Sequence, residues 1–157
     1  MDTIFTPEQE VFLDENNLIS EFYLNPESYD PDAKIQVKKI ELTENFTRID
    51  FLYKAPNYYE NGGWVNIAKE TFIRPVGSNE EFRLVYTSNI PFAPLKHYFK
   101  HCGEILVYTL IFPALPKNTL AIDIIEKEGV PNYFNFYNVD FSEWITIMHP
   151  SSPTSKN

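Results

Sequence analysis

His97, His101 and Cys102, in the stretch HYFKHC, form the one cluster in this sequence that combines typical metal ligands with a nucleophile. On a helix, two histidines four residues apart share a face and could hold zinc. The neighbouring Pro94 and Gly103 favour a loop or strand instead, in which residues four apart are separated by about 13 Å, too far for one ion. We therefore expect no metal site and no cofactor.

Cys102 is also the candidate nucleophile of a cysteine-dependent hydrolase, with His97 or His149 as the base. Such a thiol needs a base within reach and an electropositive setting. Any chain with three histidines offers that combination, and the sequence contains neither a G-x-S-x-G elbow nor a glycine-rich phosphate loop. We keep this hydrolase as an alternative but expect no enzymatic activity and no catalytic residue.

Asp123 and Glu126, in AIDIIEKE, are the carboxylate pair whose spacing invites an acid–base interpretation. Glycosidases need two carboxyl groups facing one sugar bond, about 5 to 9.5 Å apart. Residues three apart on a strand point to opposite faces, so this pair does not fit that geometry. We expect Asp123 on the solvent face, between inward-facing Ile122 and Ile124.

The loop PNYYENGGW, residues 56–64, is the strongest candidate for recognition. Tyr58, Tyr59 and Trp64 flank a turn whose tip should be exposed, and such side chains offer large, rigid contact surfaces to a partner chain or a sugar ring. The alternative is that Trp64 and one tyrosine turn inward and close the end of the fold. Asn61-Gly62-Gly63 is the clearest turn in the sequence, because Asn-Gly readily takes the positive φ angles of a tight hairpin.

The segments that must position these residues are short and alternate in hydrophobicity. In 35–43, Ile35, Val37 and Lys39 alternate with Gln36, Lys38 and Ile40, and in 46–54, Ile49, Phe51 and Tyr53 share one face. Further strands are predicted over 64–74 (with a break near Ala68), 81–87, 104–112, 120–126 and 133–141, and a short piece near 97–99 is expected to pair locally. Seven or eight short strands separated by Pro, Gly and Asn turns predict a β-sandwich or small barrel.

Composition supports one all-β domain. The 157 residues suit a single domain, and thirteen Phe, ten Tyr and two Trp favour strands. The longest apolar run, 105–115, is far shorter than the roughly 20 residues that span a bilayer. The N-terminus lacks the basic and apolar regions of a signal peptide, so we expect a cytoplasmic protein.

All of the net charge of −9 lies in an N-terminal arm, residues 1–33, which contains nine acidic residues and no Lys or Arg. The rest of the chain has thirteen acidic and thirteen basic residues, so it offers nucleic acid no basic stripe, and we exclude nucleic acid as a partner. A short helix over 7–15 and a strand over 18–24 are predicted within the arm. Its apolar residues indicate docking, on its own domain or on another copy.

Residues 92–139 contain three phrases, FAPLKHYF, ILVYTLIFPALPKNTLAIDIIE and FNFYNV. They resemble segments of uncharacterised bacterial proteins, found especially in the Bacteroidota, that have an immunoglobulin-like β-sandwich. The resemblance covers about a third of the chain and implies that fold, with a role as an accessory or binding module. It implies no catalytic or binding residues, and the acidic arm has no counterpart in it.

The resulting prediction is an immunoglobulin-like antiparallel β-sandwich over residues 34–148, preceded by the arm (1–33) and followed by a disordered tail (149–157). The predicted function is a non-enzymatic binding or assembly module for a protein partner or a second copy, acting through Tyr58, Tyr59 and Trp64. A carbohydrate-binding module that uses the same three rings as a stacking platform is the alternative.

Overall fold

The computed structural model describes residues 18–23, 35–130 and 133–141. The predicted helix over 7–15, the tail 149–157 and His149 lie outside these residues. The strands of the described part are β1 (Leu18–Tyr23), β2 (Ile35–Thr43), β3 (Phe46–Lys54), β4 (Trp64–Val65), β5 (Phe72–Pro75), β6 (Phe82–Arg83), β7 (Tyr86–Ser88), β8 (His97–Tyr98), β9 (Ile105–Pro113), β10 (Ala121–Ile125) and β11 (Phe136–Asp140).

These strands form two main sheets and a small ribbon. One sheet has the order β1-β2-β3-β9-β7, the other has the order β11-β10-β5-β6, and β4 pairs with β8. Every ladder between these strands is antiparallel. The all-β prediction is confirmed, and an arrangement of antiparallel sheets is consistent with a β-sandwich. No helix among the described residues is long and apolar enough to cross a membrane.

One hydrophobic cluster takes side chains from both main sheets. Ile49 and Phe51 of β3 are at most 1% exposed, as are Ile122 and Ile124 of β10. The predicted face of β3 is therefore confirmed, since Tyr53 completes it as a buried residue. Burial of such apolar area, worth about 25 cal/mol per Å², is the main term that holds the sheets together.

Strict alternation fails in β2, where it would place Val37 and Ile40 on opposite faces. Both side chains are fully buried in the same cluster. A bulge between Val37 and Lys39 is responsible, because Val37 pairs with Phe51 while Lys39 already pairs with Asp50. An extra residue in one strand reverses the faces beyond it, as β-bulges do.

The loop at 55–63 differs from the predicted tight hairpin. Positive φ angles are present at Asn61, Gly62 and Gly63, yet β3 and β4 do not pair with each other. Instead β3 continues its ladder with β9, and β4 pairs with β8. The predicted break near Ala68 is present, because residues 66–71 separate β4 from β5.

Part of the N-terminal arm forms a strand, as predicted for 18–24. The strand β1 pairs with β2 of the same chain, from Leu18 opposite Thr43 to Tyr23 opposite Lys39. It therefore forms one edge of the five-stranded sheet.

Candidate functional site

The three aromatic residues of the predicted recognition loop border one open cleft of about 580 Å³. We call it the aromatic cleft and define it by its lining residues: Ile35, Tyr53, Tyr58, Tyr59, Gly63, Trp64, Val65, Asn66, Glu126, Tyr133 and Phe134. Its size lies within the range of clefts that hold small molecules or side chains of a partner.

The loop that carries Tyr58 and Tyr59 is a tight turn built on unusual backbone angles. Asn61, Gly62 and Gly63 have φ values of 56°, 92° and 77°. The amides of Gly62 and Gly63 donate to the carbonyls of Tyr59 and Glu60, at 3.0 and 3.1 Å. Glycine is needed at Gly62 for a second reason, because a Cβ there would lie only 2.8 Å from Ala55 Cβ and 2.9 Å from the carbonyl oxygen of His101.

The segment 99–104 holds this loop in place through the backbone. The amide of Ala55 donates to the carbonyl of Glu104 at 2.8 Å, and the amide of Gly103 donates back to Ala55 at 2.9 Å. The amide of Phe99 donates to Gly63 at 3.0 Å. The two bonds of Ala55 extend the β3–β9 ladder past its last regular pair, and with the Phe99 bond they fix the base of the loop.

Glu104 and Cys102 tighten the same junction. The backbone amide of Lys100 donates to Glu104 Oε1 at 2.7 Å, and this bond holds the pKa of the Glu104 carboxyl below its usual range. The Cys102 thiol is directed at the carbonyl oxygen of Tyr59, with Sγ at 3.4 Å. The first contact lies within the segment 99–104, and the second binds that segment to the loop 55–63.

The sequence-predicted site residues are all on the surface of the cleft. Tyr58, Tyr59 and Trp64 are 69%, 57% and 47% exposed, so neither Trp64 nor a tyrosine turns inward to close the fold. The rings of Tyr58 and Tyr59 meet edge to face, with centroids 4.7 Å apart and planes 62° apart. The cleft therefore presents rings in several orientations.

Two rings of the cleft carry an ammonium group of the chain itself. Lys96 Nζ lies 4.4 Å from the centroid of the Trp64 ring, and Lys127 Nζ lies 5.4 Å from that of Tyr133. Both distances fall within the range of cation–π attraction. Neither lysine lines the cleft.

The inner wall of the cleft is a group of stacked aromatic residues. Tyr53 stacks on Phe99 with centroids 5.5 Å apart and planes at 6°, and it meets the edge of Phe134 at 5.9 Å. Burial raises the pKa of the Tyr53 hydroxyl, with a smaller contribution from Tyr58 and Tyr59.

Glu126 supplies the carboxylate of the cleft and is only 7% exposed. Its Oε2 accepts a hydrogen bond from the amide of Ala68 and its Oε1 accepts one from the amide of Phe134, both at 2.9 Å. Burial raises the pKa of Glu126, and the two amides offset this only in part. The side chain thus ties the loop after β4 to the loop before β11.

Tyr108 lies behind the cleft wall, stacked on Phe51 at 5.1 Å and on Phe134 at 6.4 Å. It is 1% exposed, and its hydroxyl is buried without a hydrogen-bond partner among the described residues. Burial raises the pKa of this hydroxyl well above its usual value, and the nearby Glu126 carboxylate adds to the effect. Such an unsatisfied group is rare in a folded interior.

The cluster of histidines and cysteine is not assembled as a site within the described residues. His101 Nδ1 lies 3.1 Å from the carbonyl oxygen of Cys102, and the hydrogen bonds of Cys102 Sγ go to the carbonyls of Asn57 and Tyr59. His97 meets the edge of Phe99 at 5.1 Å. No group of three or more His, Cys, Asp or Glu side chains with metal-binding geometry occurs in the described part of the chain.

Asp123 and Glu126 belong to separate hydrogen-bond networks. Asp123 lies between buried Ile122 and Ile124 and accepts a hydrogen bond from Arg74 Nε at 3.0 Å. Arg74 also binds Glu128 at 2.8 Å, and this bond lowers the pKa of the Glu128 carboxyl. This network belongs to the outer face of the sheet β11-β10-β5-β6.

Sequence reasoning did not identify Glu126, Tyr53 or Phe134 as neighbours of the recognition loop. Glu126 directly follows the end of β10, where an alternating pattern no longer determines orientation. Tyr53 was predicted to face inward, and it does. That it also lines the cleft depends on how the loops fold around the end of β3.

Comparisons with protein-family models, curated proteins and solved structures give no match for this chain.

Proposed function

We propose that this chain is a non-enzymatic binding module, with an immunoglobulin-like β-sandwich, whose aromatic cleft holds a segment of a partner protein. The observation that carries the proposal is the grouping of Tyr58, Tyr59 and Trp64 around one cleft, all exposed. Large aromatic side chains are enriched at the energetic centre of protein interfaces. Exposing them on a loop fixed by backbone bonds is costly in water unless a partner covers them.

The geometry favours a protein segment over a sugar. A sugar-stacking platform needs coplanar exposed rings with polar groups around them, whereas Tyr58 and Tyr59 meet at 62°. Asn66 is one of the few polar residues of the lining, and its side-chain amide already donates to the carbonyl of Leu95 at 2.9 Å. Rings at different angles enclose a side chain better than they support a flat ring face.

The test is selection of binders from a random peptide library displayed on phage, followed by binding measurements on variants. We expect selected peptides that bind the wild-type chain and lose at least about tenfold in affinity, or roughly 1.4 kcal/mol, with Trp64→Ala or Tyr59→Ala. Tyr137→Ala is the matched control, since Tyr137 is 54% exposed on β11 and does not line the cleft. Circular dichroism would confirm that each variant is folded.

A glycan array probed with the same variants gives the competing outcome. Glycan binding that depends on Trp64, without any peptide that depends on it, would replace the protein partner by a carbohydrate. Peptides that bind equally well to the Trp64 and Tyr137 variants would show that the aromatic cleft is not the binding site.

A further inference from the structure

The carboxylate of Glu126 has no cation within ion-pair distance among the described residues, although Glu126 lines the cleft and is only 7% exposed. None of the ion pairs formed among residues 35–130 and 133–141 includes Glu126. Its two hydrogen bonds come from backbone amides, one to each oxygen. An ionised carboxylate has about four acceptor positions, so roughly two remain available. A buried charge without a counter-charge is unfavourable, and a cation delivered by a ligand would remove that cost.

The rings around the opening already show an affinity for ammonium groups. Lys96 and Lys127 each place Nζ over a ring of the cleft, although either lysine could extend into water. The face of an aromatic ring carries negative potential, and this attracts a cation most strongly where water is partly excluded. A carboxylate set among aromatic rings therefore combines the two features that bind a cationic side chain.

We propose that the aromatic cleft binds a basic side chain, lysine or arginine, of the partner segment, with the cationic head at Glu126 and the aliphatic stem along the rings of Tyr59 and Trp64. This inference rests on the proposed function and adds the chemical class of the ligand. The carboxylate of Glu126 gives the cleft a negative group that is complementary to a basic side chain. Both lysine and arginine combine an apolar stem with a charged head, which matches the lining.

Short peptides that differ at one central residue test this directly. The probes are acetylated, amidated pentapeptides of glycine with lysine, arginine, norleucine or glutamate in the middle. Binding to the ¹⁵N-labelled chain is followed by NMR, through the shift of the Trp64 indole N–H. We expect the lysine and arginine peptides to bind at least about tenfold more tightly than the norleucine peptide, which has a similar stem but no charge.

Glu126→Gln identifies the carboxylate as the cause. It keeps the size of the side chain and should reduce the preference for lysine over norleucine to less than about threefold. Glu128→Gln is the matched control. Glu128 lies two residues after Glu126 and carries the same charge, but its side chain does not line the cleft. If Glu126→Gln fails to fold, Trp64→Leu provides the second variant and should weaken all basic peptides.

The outcomes separate the two proposals. Equal binding of the lysine and norleucine peptides, lost in Trp64→Leu, would overturn the basic ligand and leave the protein-binding function intact. Library-selected peptides without a basic residue would do the same. If tetramethylammonium shifts the Trp64 resonance and no lysine or arginine peptide does, a basic side chain of a partner segment is refuted as the ligand.

Discussion

Replacement of Gly62 by alanine should destabilise the fold far more than replacement of Gly77, which has a similar positive φ but has no atom within 4 Å of an added Cβ. Gly62 has φ +92°, and an added Cβ would meet Ala55 Cβ at 2.8 Å, the His101 carbonyl oxygen at 2.9 Å and Phe99 Cβ at 3.1 Å. Favourable carbon contacts lie at about 3.5–4.0 Å, so three neighbours must move at once. Two of them are β-carbons and one is backbone, so no flexible side-chain end can yield.

The magnitude follows from two separate costs. A positive φ costs a residue with a Cβ about 1–2 kcal/mol relative to glycine. Overpacking of a close-packed site adds about 1–3 kcal/mol. Gly62→Ala should therefore lower the free energy of unfolding by about 3 kcal/mol. Gly77→Ala, at φ +87° with nothing within 4 Å of its added Cβ, should show the backbone cost alone.

Urea denaturation followed by circular dichroism measures both variants. The gain from the smaller conformational freedom of the unfolded chain is common to both substitutions and cancels in their difference. We expect that difference to be about 1–3 kcal/mol with an unchanged denaturant slope. If the unfolding free energies of the two variants agree within about 0.5 kcal/mol, Gly62 is not packed against Ala55, Phe99 and His101 as described.

Two further substitutions concern the polar groups in and behind the cleft. Tyr108→Phe should raise the free energy of unfolding by about 1 kcal/mol in urea denaturation, because it removes a buried hydroxyl that has no partner among the described residues; a loss of stability would mean that water or another group serves that hydroxyl. Burial raises the pKa of Glu126, so its favourable contribution is fully present below the pKa of an unfolded glutamate and is lost as the pH rises through the folded pKa. The unfolding free energy of the wild type minus that of Glu126→Gln should therefore fall as the pH rises from about 4.3, the ordinary pKa of glutamate, towards neutrality, and a constant difference would contradict the assignment. Tyr53 and Tyr108 do not titrate in this range, since burial raises the pKa of both.

The strands could be predicted from the sequence because each depends mainly on its own pattern. The segment 46–54 places Ile49, Phe51 and Tyr53 two positions apart, and this predicted inward face is buried as expected. The segment 35–43 also begins with alternating residues but contains a bulge. Its apolar residues shift phase between Val37 and Ile40, where the bulge lies, but the pairing with β3 that produces the bulge is not encoded in the segment alone.

The candidate site was predictable only in its local part. Asn61 and the two glycines that follow indicate positive φ angles, and those angles are present. Which strand the loop leads to depends on long-range pairing, and β4 pairs with His97 and Tyr98 rather than with β3. The contact of Glu126 with the amides of Ala68 and Phe134 joins positions up to 58 residues apart, and no local pattern encodes such a contact.

The way the recognition loop is held supports a binding role more strongly than the exposure of its rings alone. A flexible loop could expose Tyr58 and Tyr59 equally well, but their ordering on contact with a partner would cost about 1 kcal/mol for each immobilised side chain. Here the backbone of the loop is already held in the free chain, since both of its ends are bonded to the segment 99–104 through the amides of Ala55, Phe99 and Gly103. The loop backbone has lost its conformational freedom already on folding, so a partner makes the aromatic contacts without the entropic cost of ordering that backbone. A loop that served only to connect two strands would have no need of such a conformation, because ordinary turns connect strands with less strain.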